Sequence, residues 1–243
     1  YTQKHAGRCA VTNDWAIAIE EATGKNVDEF FDQWVYGGGH PEFKIGFSYD
    51  AERKLATLRV TQTQKSDELT AIFKLPVRVA MTRLATSDAP RLREEQTLQI
   101  EEGEHRFHIP LDFEPDFITF DVGNWILKRL DVSDLPESML TNQLQHDSDA
   151  AGRIHAAREV GKRGPRRAVE ALASTLSSDA PWFVQAETAK ALGAVTNEAA
   201  LNALLENRDT GHPKARRAIA KALGEFRNES KAADALIAIL KEG

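Results

Sequence analysis

One short motif occurs three times and constrains the second half of the chain. Ala157-Arg158-Glu159-Val160-Gly161, Ala189-Lys190-Ala191-Leu192-Gly193 and Ala220-Lys221-Ala222-Leu223-Gly224 share a register, with the glycines 32 and 31 residues apart. Asp149, Asp179 and Asp209 precede the copies at intervals of 30 residues. A second apolar segment follows each copy, carrying Leu172/Leu176, Leu204/Leu205 and Leu236/Leu240. Helix pairs of this length cannot bury their apolar faces alone, so they stack side by side as an α-solenoid. The small alanines let helices approach closely, and the spacing predicts that each glycine caps the first helix of its pair.

Before the repeats the hydrophobic period is two. Phe43, Ile45, Phe47 and Tyr49 alternate with polar or small residues, as do Leu58 and Val60. The pattern continues through Phe73–Met81, Leu98/Ile100, Phe107/Ile109 and Ile118–Val122. Alternation gives each strand one buried and one wet face. Turn residues separate the runs at 50–53, 66–67, 87–90, 102–103, 115–116 and 123–124. About seven short antiparallel strands in ~90 residues make a small β-sandwich. Pro76 predicts an edge strand or a bulge in the third run.

The first 40 residues are helical in period. Trp15, Ala18, Ile19 and Ala22 form one apolar stripe after Thr12, a predicted N-cap, and Gly24 ends the helix. Val27, Phe30, Phe31 and Trp34 repeat the spacing after Asn26, whose partner three residues on is Glu29. Gly37-Gly38-Gly39 and Pro41 stop it, and a tight turn is the expectation there. The aromatic set reads as core. Two short helices with such a face must dock on something, expected to lie before Tyr1, because the chain reads as a piece of a longer protein.

Composition narrows the function. The formal charge is −6 with pI near 5.7. Residues 136–243 hold 15 basic and 14 acidic side chains, so no stripe favours nucleic acid. No window reaches the ~18 apolar residues of a membrane span. The single Cys9 excludes an internal disulfide and is compatible with both a cytosolic and a periplasmic or secreted location.

Candidate chemistry is sparse. There is no HExxH, GxSxG, P-loop, CxxC or GxGxxG. His5 and Cys9 have helical metal-ligand spacing without a third ligand, and His105 and His108 fall on opposite faces of a strand. Lys162, Arg163, Arg166 and Arg167, and Lys214, Arg216 and Arg217, read as solvated helix faces. No catalytic, cofactor-binding or metal-binding residue is expected in this chain.

One stretch resembles a known family. Val11-Thr12-Asn13-Asp14-Trp15, Gly24-Lys25-Asn26-Val27 and Phe30-Phe31-Asp32-Gln33-Trp34-Val35-Tyr36-Gly37-Gly38-Gly39-His40-Pro41 look like the end of the catalytic domain in M1-family zinc aminopeptidases, the relatives of aminopeptidase N and leukotriene A4 hydrolase. The Asp…Ala-x-x-Leu-Gly repeat is similar to HEAT-like repeats. The resemblance implies an α+β multidomain chain: terminal helices of a thermolysin-like domain (1–41), an antiparallel β-sandwich (42–133) and an α-solenoid of HEAT-like repeats (134–243). It implies a role as the non-catalytic C-terminal region of a metallo-aminopeptidase. Zinc would then be a cofactor of the full-length protein, and the partners would be the chain's own upstream catalytic domain and a peptide substrate. Trp34, Gly39, His40 and Pro41 would be a structural junction, His40 bonding backbone at the turn. Arg153, Lys214 and Arg216 would face the cleft and take a peptide carboxylate. The alternative is a catalytically inert HEAT-repeat scaffold that binds another protein.

Overall fold

The structure, a computed structural model, describes residues 1–164, 166–178 and 180–242, with the side chains of Arg166, Arg167 and Glu242 outside the description. Asp179, one of the three repeated aspartates, also lies outside the described residues.

The alternating segment forms seven strands: β1 (Glu42–Asp50), β2 (Leu55–Gln62), β3 (Leu75–Arg83), β4 (Leu92–Ile100), β5 (Glu104–Pro110), β6 (Phe117–Phe120) and β7 (Arg129–Asp134). They make a four-stranded sheet, β5-β2-β1-β7, and a three-stranded sheet, β4-β3-β6. The inward residues of the two sheets belong to one core, which includes Phe43 and Ile45 of the first and Val79 and Phe120 of the second. The Phe43 and Phe120 rings meet edge to face at 5.4 Å.

Two expectations are corrected here. The seventh strand, β7, runs parallel to β1, with Glu42 opposite Arg129 and Phe43 opposite Leu130, so the first sheet is not wholly antiparallel. Its side-chain period does not reveal direction, which the long loop after β6 sets. Pro76 sits in the central strand of its sheet, not at an edge. It is accommodated because β6 pairs only with Val79–Thr82 and stops short of it.

The repeat segment forms α3 (Glu137–His146), α4 (Ala150–Arg163), α5 (Arg166–Ser177), α6 (Trp182–Val195), α7 (Glu198–Glu206), α8 (Pro213–Leu223) and α9 (Ser230–Glu242). Helices α4, α6 and α8 stack on one another, and α5, α7 and α9 form the second row. Leu172, Leu176 and Leu204 are buried between the rows. In the last pair Leu236 packs on the core while Leu240 is 81% exposed, with no helix among the described residues covering it.

The repeated glycines do not act as the predicted caps in the first two copies. Gly161 and Gly193 lie inside α4 and α6, and the left-handed ends are Gly164 (φ 66°) and Thr196 (φ 50°). Their role is close approach: a Cβ on Gly161 would lie 2.7 Å from Ala191 Cβ, and one on Gly193 would lie 2.9 Å from Ala222 Cβ. Gly224 alone stands at a helix end. The aspartates also diverge. Asp149 caps α4 by accepting from Ala151 N–H at 2.9 Å, whereas Asp209 pairs with Arg208 and α8 is capped by His212. Among the described residues no helix is long and apolar enough to cross a membrane.

Candidate docking surface and the sandwich–repeat junction

The N-terminal segment forms α1 (Thr12–Thr23) and α2 (Asp28–Phe31), the latter continuing as a π-wound turn, Asp32–Tyr36. Val11 rather than Thr12 precedes the first helical residue, and its N–H donates to Asp14 Oδ2 at 2.9 Å. Gly24 ends α1 at φ 69°, as the left-handed position favours. Asn26 Oδ1 accepts from Asp28 N–H, and the Glu20 carboxylate accepts from Val27 N–H, which closes the turn between the helices.

The aromatic stripe is only partly core. Phe31 is 2% exposed and meets Trp15 edge-on at 5.6 Å, and Trp34 packs on Phe73 at 4.9 Å. Phe30 is 54% exposed, against expectation, and Trp15, Ile17, Val35 and Tyr36 are also exposed. Helical period identifies a shared face but not whether anything covers it. Exposed apolar surface of this extent marks an interaction site more often than chance solvent exposure.

This segment is tied to the sandwich at one end. The Gln33 side chain accepts from Lys74 N–H and donates to Lys74 C=O, and Gly38 N–H donates to Leu69 C=O at 2.8 Å. Gly39 has φ 77°, and a Cβ there would meet the Thr70 side chain at 3.0 Å. Pro41 is buried, and its carbonyl accepts from Arg129 N–H, which starts the β1–β7 ladder. His40 is half-buried and, contrary to expectation, makes no hydrogen bond among the described residues.

The sandwich and the repeats are joined by a buried polar cluster that no sequence motif announced. Asp147 Oδ2 accepts from Thr119 Oγ1 at 2.8 Å and Gln143 Nε2 at 3.1 Å, and its Oδ1 accepts from Asp149 N–H. Gln143 also donates to Ile118 C=O at 2.8 Å. Gly152 leaves room for this group, since a Cβ there would collide with the Asp147 carboxylate and the Gln143 amide. Burial pushes the Asp147 carboxyl above its ordinary range, against the hydrogen bonds that favour its charge. At the far end Arg163 donates to the Ser133 and Leu135 carbonyls.

The loop from β6 to β7 is also organised by one acid. Asp121 accepts from Trp125 N–H, Ile126 N–H and, at 2.5 Å, Lys128 Nζ. The side chains of this ion pair are each 3% exposed. Trp125, at 79%, and Leu127 stand in solvent on that fixed backbone. The apolar run Trp125-Ile126-Leu127 directly after the Gly123-Asn124 turn is the signal available in the sequence.

The expected cationic site does not assemble. Arg153 donates to Leu144 C=O, Arg216 donates to the Thr210 and Gly211 carbonyls, and Lys214 lies 4.5 Å over the Trp182 ring, so each is engaged locally. Lys162 pairs with Glu159, and the Arg166 and Arg167 side chains lie outside the described residues. Among the described residues no group of three or more His, Cys, Asp or Glu side chains is placed to hold a metal ion. The donors present therefore do not fit a zinc site. His105 Nε2 instead accepts from Glu101 and Glu102 N–H, His108 bonds Thr57, and the Tyr1–Arg8 segment is a series of turns rather than a helix.

Comparison with known proteins fits this geometry. The family model described as HEAT repeats matches residues 137–215, and that of the PBS lyase HEAT-like repeat matches residues 215–242. The C-terminal helical region is thus HEAT-like. With the HEAT array preceded by a sandwich and short helices, the chain is similar in fold to Legionella pneumophila aminopeptidase A, solved in complex with aspartic acid. That likeness has a TM-score of 0.66 and 13% identity, and covers 99% of this chain and 34% of that one. The chain is also 24% identical over 209 residues to Transcription initiation factor TFIID subunit 2 of Drosophila melanogaster, covering 77% of this chain and 17% of that protein. The chain thus spans about a third or less of the length of each.

Proposed function

We propose that this chain is the non-catalytic C-terminal region of an M1-type zinc aminopeptidase. In this reading residues 1–41 are the last helices of a catalytic domain, residues 42–133 a supporting sandwich, and residues 134–243 a HEAT array that walls the peptide cleft. The observation that carries it is the concentration of exposed large apolar side chains, Trp15, Ile17, Phe30, Val35 and Tyr36, on a segment tied to the sandwich near its C-terminal end, in a chain whose fold resembles that of an aminopeptidase over 99% of its length. Trp34, Gly39, His40 and Pro41 act as the junction that sets the angle between a catalytic domain and β1. Zinc belongs to residues upstream, where it would polarise the scissile carbonyl and supply a nucleophilic water.

The test is release of chromophore from an aminoacyl p-nitroanilide by the full-length gene product. Zinc-dependent, chelator-sensitive turnover by the full-length protein and none by the 243-residue chain supports the reading. A full-length product that holds no zinc and cleaves no peptide rejects it. That outcome favours the second reading, an inert scaffold, for which the likeness to a transcription-factor subunit over 77% of this chain speaks. A stable partner retained by the full-length product would then be the positive evidence.

A further inference from the structure

A cleft of about 430 Å³ lies between the β1–β7 edge of the sandwich and helix α4. Lys128, His155 and Arg158 line it, with Arg129 and Lys162 also among its walls. Three carboxylates contribute too, but each is already engaged: Glu42 with Arg129, Glu159 with Lys162 and Arg163, and Asp131 with Ser133 N–H.

The unused hydrogen-bonding capacity is on the cationic side. Neither ring nitrogen of His155 has a hydrogen-bond partner among the described residues. Lys128 has three N–H donors and spends them on Asp121 and Asn124, which leaves one over. Arg158 gives Nε and Nη2 to Glu187 and keeps Nη1 free. Burial, with the charges of Lys128 and Arg158, holds the imidazole at about 4, so at neutral pH it is uncharged and carries one N–H donor. A group that enters here meets unspent N–H donors, and a carboxylate, with two acceptor oxygens, can take several of them at once.

We propose that this cleft binds a free carboxylate through His155, Lys128 and Arg158. The site is independent of the aminopeptidase reading, since it needs only the residues of this chain. A carboxylate of this kind comes either from a small organic acid or from the C-terminus of a peptide.

The experiment is an NMR titration of the 243-residue chain, following the His155 imidazole, with succinate, N-acetyl-trialanine and N-acetyl-trialanine amide as probes. Succinate, the peptide acid or both are expected to shift the His155 signals saturably and raise the pH at which His155 titrates, while the amide does neither. The pattern between the two acids identifies the source. Arg158→Gln, followed through the His155 imidazole, and His155→Leu, followed through the backbone amides of the cleft, are each expected to weaken binding about tenfold, with circular dichroism checking that the variants are folded. No shift at about 10 mM of either acid, equal binding of acid and amide, or unchanged affinity in both folded variants overturns the proposal. The wild-type titration stands alone if a variant fails to fold.

Discussion

Gly161 presses its Cα against Ala191, so closely that an added methyl group would sit 2.7 Å from the alanine's own. The same contact recurs one repeat later between Gly193 and Ala222. This pairing, not capping, explains why the motif alternates alanine and glycine on the stacked row. Gly161→Ala gains up to ~1 kcal/mol of helix propensity but forces α4 and α6 apart, at about 1–3 kcal/mol for overpacking. We expect a net loss of about 1 kcal/mol in urea denaturation. Gly211→Ala, where nothing lies within 4 Å, should show no comparable loss.

His155 gives the chain an acid sensitivity of defined sign. Its folded-state value of about 4 lies below the ordinary 6.5, so the unfolded chain binds the extra proton first. The associated stability is present above pH 6.5 and is lost as pH falls toward 4, by up to about 3 kcal/mol. Asp147 works in the opposite direction, because its raised carboxyl favours the protonated folded state. The pH profile of thermal unfolding should therefore flatten between pH 6.5 and 4 in His155→Leu, and a profile identical to that of the parent would refute the assignment.

The Lys128–Asp121 pair is buried on both sides. Asp121→Ala leaves an ammonium without its counter-charge and releases the Trp125 and Ile126 amides, and should cost about 3–5 kcal/mol. Trp125, fixed in the parent loop, should gain mobility, read as a fall in fluorescence anisotropy. Asp121→Ala with Lys128→Met should recover part of the stability, because the stranded charge is gone.

The exposed apolar side chains of α1, α2 and the π-wound turn should make the isolated chain self-associate. A triple change, Trp15→Ser, Phe30→Ser and Tyr36→Ser, should lower the association constant in sedimentation equilibrium while moving the thermal midpoint little, since these side chains are largely exposed. A monomeric parent chain at high concentration, or a variant that unfolds, would show that the face is covered within the chain.

Much of this architecture is legible in the sequence because its periods are clean. Alternation at 43–49 and 75–81 marks strands that bury Phe43, Ile45, Val77 and Val79, and the thirty-residue recurrence marks the HEAT array. Gly161 misleads as a cap because the turn that ends α4 belongs to Gly164, three residues on, and local sequence does not choose between them. The direction of β7 is not legible, since its partner β1 lies more than eighty residues earlier. The Thr119–Gln143–Asp147 cluster and the cleft around His155 are assembled from segments that carry no motif individually. Phe30 reads as core in the sequence because a stripe on a helix reports which residues share a face and is silent about the surface opposite.

The parallel pairing of β1 and β7 has a mechanical consequence. The short helices enter the sandwich at Pro41, beside Lys128, and the HEAT array departs from the other end of the neighbouring strand, past Asp134. A force drawing those two ends apart would load the interstrand bonds together in shear instead of unzipping them in turn. The sandwich thus acts as a stiff strut, and a tilt imposed on one attachment is transmitted to the other.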